Sequence, residues 1–88
     1  MNFDLTDAEW HEVTDLTEGK YYVIQAKRGE HAFSTCTILY TQGTSVPTDP
    51  KECIVISTTK FKKGSNNIYV RSFNTSIVIN VCVQELEA

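Results

Sequence analysis

Hydrophobic and polar side chains alternate most regularly near the C-terminal end of the chain, between residues 66 and 83. In the first half of this stretch one face carries Ile68, Val70 and Ser72, and the other carries Tyr69, Arg71 and Phe73. In the second half one face carries Ile77, Ile79, Val81 and Val83. A period of two in β-branched and aromatic residues predicts two strands, and the polar break at residues 73–76 predicts that they form a hairpin.

The remaining apolar runs predict further short strands separated by turns. We expect strands near residues 10–14, 20–27, 33–41 and 52–59, with 60–63 continuing the last one as an edge strand protected by its lysines. The run at 52–59 is nearly continuous in apolar residues at its centre, so we expect it to lie deep. The loop at 42–51 contains Pro47 and Pro50, which remove backbone donors and keep it outside the sheets.

The first nine residues allow two interpretations. Thr6 and Glu9 have the spacing of a capping box, which favours a single helical turn near residues 7–10. The alternative is an extended arm. Beyond them we expect one domain over residues 10–84 and a charged tail over 85–88, because the chain has 88 residues and no linker.

These patterns predict an all-β fold. One sheet could not cover all the apolar faces, so two packed sheets are the natural solution. We therefore predict a small antiparallel β-sandwich, jelly-roll-like, of about six to eight short strands.

Charge and hydropathy limit the classes of partner that we expect. The chain has 8 basic and 11 acidic residues and a net charge of −3, which disfavours nucleic acid as a partner. Lysines 60, 62 and 63 around Phe61 are better explained as a solvated edge strand than as a single-strand binding site. No apolar run approaches the roughly 20 residues that cross a bilayer, and the acidic start does not resemble a signal peptide. We expect no membrane partner and synthesis in a cytoplasm.

The residue spacing gives little support for a catalytic or metal-binding site. Cys36, Cys53 and Cys82 have no Cys-x-x-Cys spacing, so we predict no metal and no cofactor. Cys36 with His31 or His11 is the only nucleophile and base to weigh, and Cys36 is expected on the apolar face of a strand. We therefore predict reduced, buried cysteines and no enzymatic activity.

The aromatic residues suggest a binding surface. Alternation places Tyr21 and Tyr22 on opposite faces, so at least one should point outward. Arg71 between Tyr69 and Phe73 on one strand face suits a partner contact, because arginine and tyrosine are enriched at binding hot spots. We expect Trp10 to pack over one edge of the core. Outward tyrosines and Trp10 are also compatible with a carbohydrate-binding module, the alternative function.

Several short motifs occur in a familiar order. They are Leu-Thr-Glu-Gly at 16–19 before a strand ending in Gln25, Pro-Thr at 47–48, and Tyr-Val-Arg-Ser at 69–72 before a turn and an apolar strand. In this the chain resembles small virion proteins of tailed phages and prophages.

The resemblance implies a β-sandwich that binds other virion subunits, as a capsid-decorating protein or a head, neck or fibre accessory. It also implies a homo-oligomer, with a trimer favoured, located in the virion after synthesis in the bacterial host cytoplasm. The candidate partner contacts are Trp10, Tyr22, Tyr69, Arg71 and Phe73.

Overall fold

The computed structural model describes residues 1–28, 31–48, 53–72 and 76–86. These residues form nine strands and no helix. The strands are β1 (Asn2–Leu5), β2 (His11–Glu12), β3 (Tyr21–Arg28), β4 (His31–Thr35), β5 (Ile38–Gly43), β6 (Ile54–Ile56), β7 (Thr58–Lys62), β8 (Asn67–Arg71) and β9 (Ile79–Leu86).

The strands form two antiparallel sheets. The first has the order β1-β9-β3, with β7 and β4 both pairing with the far side of β3, and the second has the order β2-β8-β5-β6. The pairs are nested along the chain: β1 with β9, β2 with β8, β3 with β7, and β5 with β6. A long hairpin rolled up in this way is a jelly roll, so the predicted all-β sandwich is confirmed.

The core lies between the inner faces of the two sheets. Alternate residues of each strand contribute to it, as the period of two requires. The first sheet supplies Leu5, Tyr22, Ile24, Ala26, Ile79, Val81 and Val83, and the second supplies Ile38, Tyr40, Ile56, Ile68 and Val70, with Val13 directly after β2. The faces assigned from the sequence to residues 68–72 and 77–83 are therefore the ones the structure has.

The predicted hairpin between the last two strands is wrong. β8 pairs with β2 and β5 in the second sheet, while β9 pairs with β1 and β3 in the first. Both strands have a fully apolar face, and these two faces cover each other across the core instead of lying side by side in one sheet. Residues 73–75, which include Phe73, lie outside the described residues.

Two predicted strands differ from those observed. The run at 33–41 is divided into β4 and β5, with Cys36 between them and outside both. The run at 52–59 does not lie deep: β6 is an edge strand, and Ile54 and Val55 are 54% and 61% exposed. Only Ile56 of that strand reaches the core.

The N-terminal residues are extended. β1 pairs with β9, and the amide of Val83 donates to the carbonyl of Met1 at 2.8 Å. The capping box expected from Thr6 and Glu9 does not form, because Asp7 Oδ1 accepts the amide of Glu9 at 3.0 Å in a local bend. Of the two interpretations of this segment, the helical turn is the wrong one.

The predicted turn before β3 is present. Gly19 has φ of +90°, a conformation that glycine adopts without a Cβ clash. Its amide donates to the carbonyl of Lys63 at 2.8 Å, and the amide of Lys63 donates to Lys20 at 2.8 Å. The turn therefore ties the start of β3 to the end of β7. None of the described residues forms a helix with the length and apolarity needed to span a bilayer.

Candidate protein-binding surface

A row of four side chains crosses the outer face of the second sheet. Register places Arg71 beside Leu39 and Leu39 beside Val55. Arg71 Cζ lies 5.9 Å from the ring centre of Trp10, which directly precedes β2. Because their chain neighbours Val70, Ile38 and Ile56 point into the core, these side chains point outward. We call Trp10, Arg71, Leu39 and Val55 the outer stripe.

The outer stripe combines an apolar end with a cationic centre. Val55 is 61% exposed, and Trp10, Arg71 and Leu39 are half-buried. Arginine and tryptophan are enriched at binding hot spots, and here the arginine lies over the tryptophan ring in the same row as the exposed Val55. Two of the predicted contact residues, Trp10 and Arg71, are therefore brought together. Trp10 does not pack over the core as expected, because it lies on the outer face.

Tyr69 lies on the same outer face but is only 7% exposed. It is opposite Glu12 and Thr41 in the neighbouring strands, and Asn67 Nδ2 donates to its hydroxyl oxygen at 3.2 Å. Its ring is thus part of the support for the outer stripe and offers little surface to a partner.

Tyr22 lies in the core and is 7% exposed. Its hydroxyl oxygen accepts the amide of Thr17 at 2.8 Å, and its ring stacks on Phe61 with centres 5.8 Å apart. Phe61 also contacts Tyr40 of the other sheet at 6.1 Å. Burial raises the pKa of Tyr40, although a hydrogen bond from Gln42 opposes the shift. The structure does not bring Tyr22 to the outer stripe.

The outer face of the first sheet has a different composition. Its cross-strand contacts are polar: Gln25 with Thr58 at 3.2 Å, and Asn80 with Asp4 at 3.1 Å. Tyr21 is 43% exposed there, with Lys62 Nζ 5.6 Å from its ring centre. The prediction that one of the paired tyrosines points outward is confirmed. Tyr21 and Trp10 lie on opposite faces of the sandwich, so they do not form the shared platform that a carbohydrate module would use.

The three cysteines are thiols and are partly exposed, so the expectation that each is fully buried is wrong. Burial raises the pKa of the Cys36 thiol, and the nearby Arg28 charge opposes this only in part. A raised pKa reduces the thiolate fraction that a nucleophile needs. His11 Nε2 is 2.8 Å from Asp7 Oδ1, and the imidazole of His31 lies outside the described part of the chain. Across the described residues, no group of three or more His, Cys, Asp or Glu side chains is placed to hold a metal.

Sequence reasoning missed the apolar half of the outer stripe. Leu39 and Val55 were each assigned to a strand, and Val55 was expected in the interior. The sequence does contain one signal for an exposed β6. Residues 54–56 lie between the proline loop and the lysine-rich strand, a position where a short edge strand is common.

Comparison with protein-family models, with curated proteins and with solved structures gave no significant match. A proposal for the function therefore starts from the surfaces described above and from the sequence resemblance.

Proposed function

We propose that this chain is a non-enzymatic structural protein of a phage or prophage virion. In this role it decorates the capsid or serves as a head or tail accessory, and it acts through protein–protein contacts. The observation that carries the proposal is the outer stripe, where an edge strand of β-branched residues stays exposed beside a stacked arginine and tryptophan.

The exposed side chains of β6 leave apolar surface in contact with water in an isolated monomer. Fully burying a valine or isoleucine side chain contributes about 1.5–3 kcal/mol. Ile54 and Val55 leave more than half of that area in water, so a partner that covers both would gain about 2 kcal/mol. Adjacent exposed aliphatic residues in an edge strand commonly mark an interaction site.

The centre of the outer stripe adds specificity to this apolar contact. Arg71 is held against the Trp10 ring, so less side-chain entropy is lost when a partner binds it. Its guanidinium can donate to carboxylate or carbonyl oxygens of the partner while the ring covers one of its faces.

A virion also suits a protein with so small an interface. Four side chains give weak binding by themselves, but copies repeated on a shell or held in an oligomer bind with much higher avidity. A domain of 88 residues has a limited core, and contacts with neighbouring subunits would stabilise it further.

The direct test is co-sedimentation with capsids and with tails of the phage whose genome encodes the chain. We expect saturable binding to one of the two particles. Val55→Glu should abolish it by placing a charge in the apolar end of the outer stripe. Val78→Glu is the matched control, since Val78 is 41% exposed but lies outside the stripe.

Failure to bind either particle would refute the virion role. Equal loss of binding in the two variants, with both folded by circular dichroism, would refute the outer stripe as the contact surface.

A further inference from the structure

The two long sides of the sandwich carry opposite charge. One side is formed by β1, β2 and the segment between them, and it presents Asp4, Asp7, Glu9 and Glu12. Its own residues include no lysine or arginine, and Arg71 of β8 lies against its Trp10. We call this the acidic side. The other is formed by β6 and β7, and it presents Lys60 and Lys62 next to the exposed Ile54 and Val55. We call it the basic side.

The topology explains why each side is a unit. β1 and β2 are the outer strands of the two sheets at one end of their strand orders. At the other end the outer strands are β6 in the second sheet and β7 and β4, which share the far side of β3, in the first. Only Ser57 separates β6 from β7, so the chain passes from one sheet to the other within the basic side.

Both sides contain open sheet edges. Within the described residues β2 pairs only with β8, and β6 pairs only with β5. Each of the two strands therefore has one row of backbone groups that no strand in the described part of the chain occupies. β7 has lysines that discourage pairing with another chain, whereas β6 has no charge and no proline in Ile54–Ile56.

We propose that the basic side of one copy docks against the acidic side of a second copy, with β6 next to β2 of its neighbour. The four-stranded sheet then continues from one copy into the next. Ile54 and Val55 become covered, and Lys60 and Lys62 approach carboxylates of the neighbour. Among the described residues Glu9 and Glu12 have no ion-pair partner within the chain, so they are available for this contact.

Charge selects this arrangement over a symmetric pair. A two-fold contact between identical sides would place lysines against lysines or carboxylates against carboxylates, and such like-charge contacts disfavour binding. A head-to-tail contact uses two different surfaces of each copy. It therefore forms a ring if its rotation closes and a filament if it does not.

This contact gives the proposed binding protein a second copy of itself as a partner. It covers Val55 at the apolar end of the outer stripe but not Trp10 and Arg71, so Val55→Glu would weaken both contacts and only a change at the centre of the stripe separates them. The virion role can thus fail while self-association holds, and the reverse also applies.

The test uses two charge-reversed variants of the full chain. Glu9→Lys with Glu12→Lys cancels the net charge of the acidic side, because Asp4 and Asp7 remain, and Lys60→Glu with Lys62→Glu makes both sides acidic. We expect an oligomer for the parent protein in light scattering and an association constant at least about tenfold lower for each variant alone. A one-to-one mixture of the two variants should associate again, because the unchanged basic side of the first variant meets the unchanged acidic side of the second.

A matched control carries one of the same charge changes elsewhere. Lys27→Glu and Arg28→Glu lie together on central strand β3, beyond residues 21–25 that pair with β7, and they carry the charge change of the lysine variant. They should leave the oligomer unchanged. A monomeric parent, undiminished association in either reversed variant, or a mixture that stays monomeric would overturn the proposal.

Measuring capsid and tail binding beside self-association separates the virion role from the edge-to-edge contact. Arg71→Glu should weaken co-sedimentation without weakening the oligomer, because it removes the cation of the outer stripe and adds a negative charge beside the acidic side. If Arg71→Glu instead dissolves the oligomer, the self-association surface is the outer stripe, and the edge-to-edge contact is wrong.

Discussion

Two runs of this chain have the same three residues and differ in how much of each run is buried. Ile-Val-Ile at 54–56 forms β6, and Ile-Val-Ile at 77–79 leads into β9. Ile56 and Ile79, the third residues of the two runs, are both in the core, but Ile77 packs against the core while Ile54 is 54% exposed. The residues are the same, but β9 pairs with a strand on each side and β6 has one partner.

Position in the sheet, more than local hydrophobicity, decides how much of an apolar run is buried. β9 lies between β1 and β3, and its inner side chains belong to the same core as those of β8 and β5. β6 is the last strand of its sheet, so the end of the strand at Ile54 and the outward Val55 have few atoms around them. An apolar run left uncovered in this way is available to a partner.

Replacing one isoleucine by alanine in each run should change the free energy of unfolding by very different amounts. Ile79→Ala should lower the free energy of unfolding by about 2–5 kcal/mol, because it leaves a cavity in a fully buried site. Ile54→Ala should change it by no more than about 0.5 kcal/mol in the monomer. Urea unfolding at a dilution where the protein is monomeric measures both. Similar losses for the two variants would show that β6 is covered within the chain.

Much of the fold was predictable because the alternation in single strands is local. Residues 68–72 and 77–83 have the faces that the sequence indicated, and Lys60 and Lys62 mark an edge strand as expected. The pairing of strands was not predictable in the same way. β8 and β9 are adjacent in sequence but join different sheets, since a hairpin and a crossover give each strand the same alternation.

The candidate site shows the same limit. Trp10 and Arg71 could be chosen from residue type, because both are typical of binding surfaces. Leu39 and Val55 could not, since their outward placement depends on the register of β5 with β8 and with β6. Tyr22 and Tyr69 have the right residue type, but their rings are covered in the folded chain.

The two edge strands that adjoin at Ser57 differ in how firmly each is held to the core. β7 is anchored by Phe61, whose ring contacts Tyr22 and Tyr40 from both sheets, and β6 has no comparable aromatic anchor. Phe61→Ala should cost about 2–3 kcal/mol, below the full-burial range because the ring is half-exposed. Lys60→Ala in the same strand is the control and should be neutral within about 0.5 kcal/mol. Equal unfolding midpoints for the two variants would contradict the anchoring role.

Smaller effects are expected on the outer faces. The Arg71–Trp10 contact at 5.9 Å and the Lys62–Tyr21 contact at 5.6 Å lie on the second and first sheets respectively. Partly exposed cation–π contacts contribute about 0.5–1 kcal/mol. Double-mutant cycles with Arg71→Met and Trp10→Leu, and with Lys62→Met and Tyr21→Leu, measure both couplings by urea unfolding. A coupling of zero for Arg71 with Trp10 would mean that the contact does not preorganise the outer stripe.

The smallest effect is a pH dependence on the acidic side, opposite β6. A hydrogen bond with His11 and, second, the amide of Glu9 lower the pKa of Asp7 below its ordinary value of 3.8. A carboxyl group with a lowered pKa in the folded state stabilises the protein above its ordinary pKa, and this stabilisation is lost as pH falls through the folded-state value. The carboxylate is exposed, so NMR titration of its side-chain carbon is the sensitive measurement. His11→Phe removes the donor and should move the titration of Asp7 toward the ordinary value. If Asp7 titrates identically in the parent and in His11→Phe, the 2.8 Å contact with His11 does not hold the carboxylate in solution.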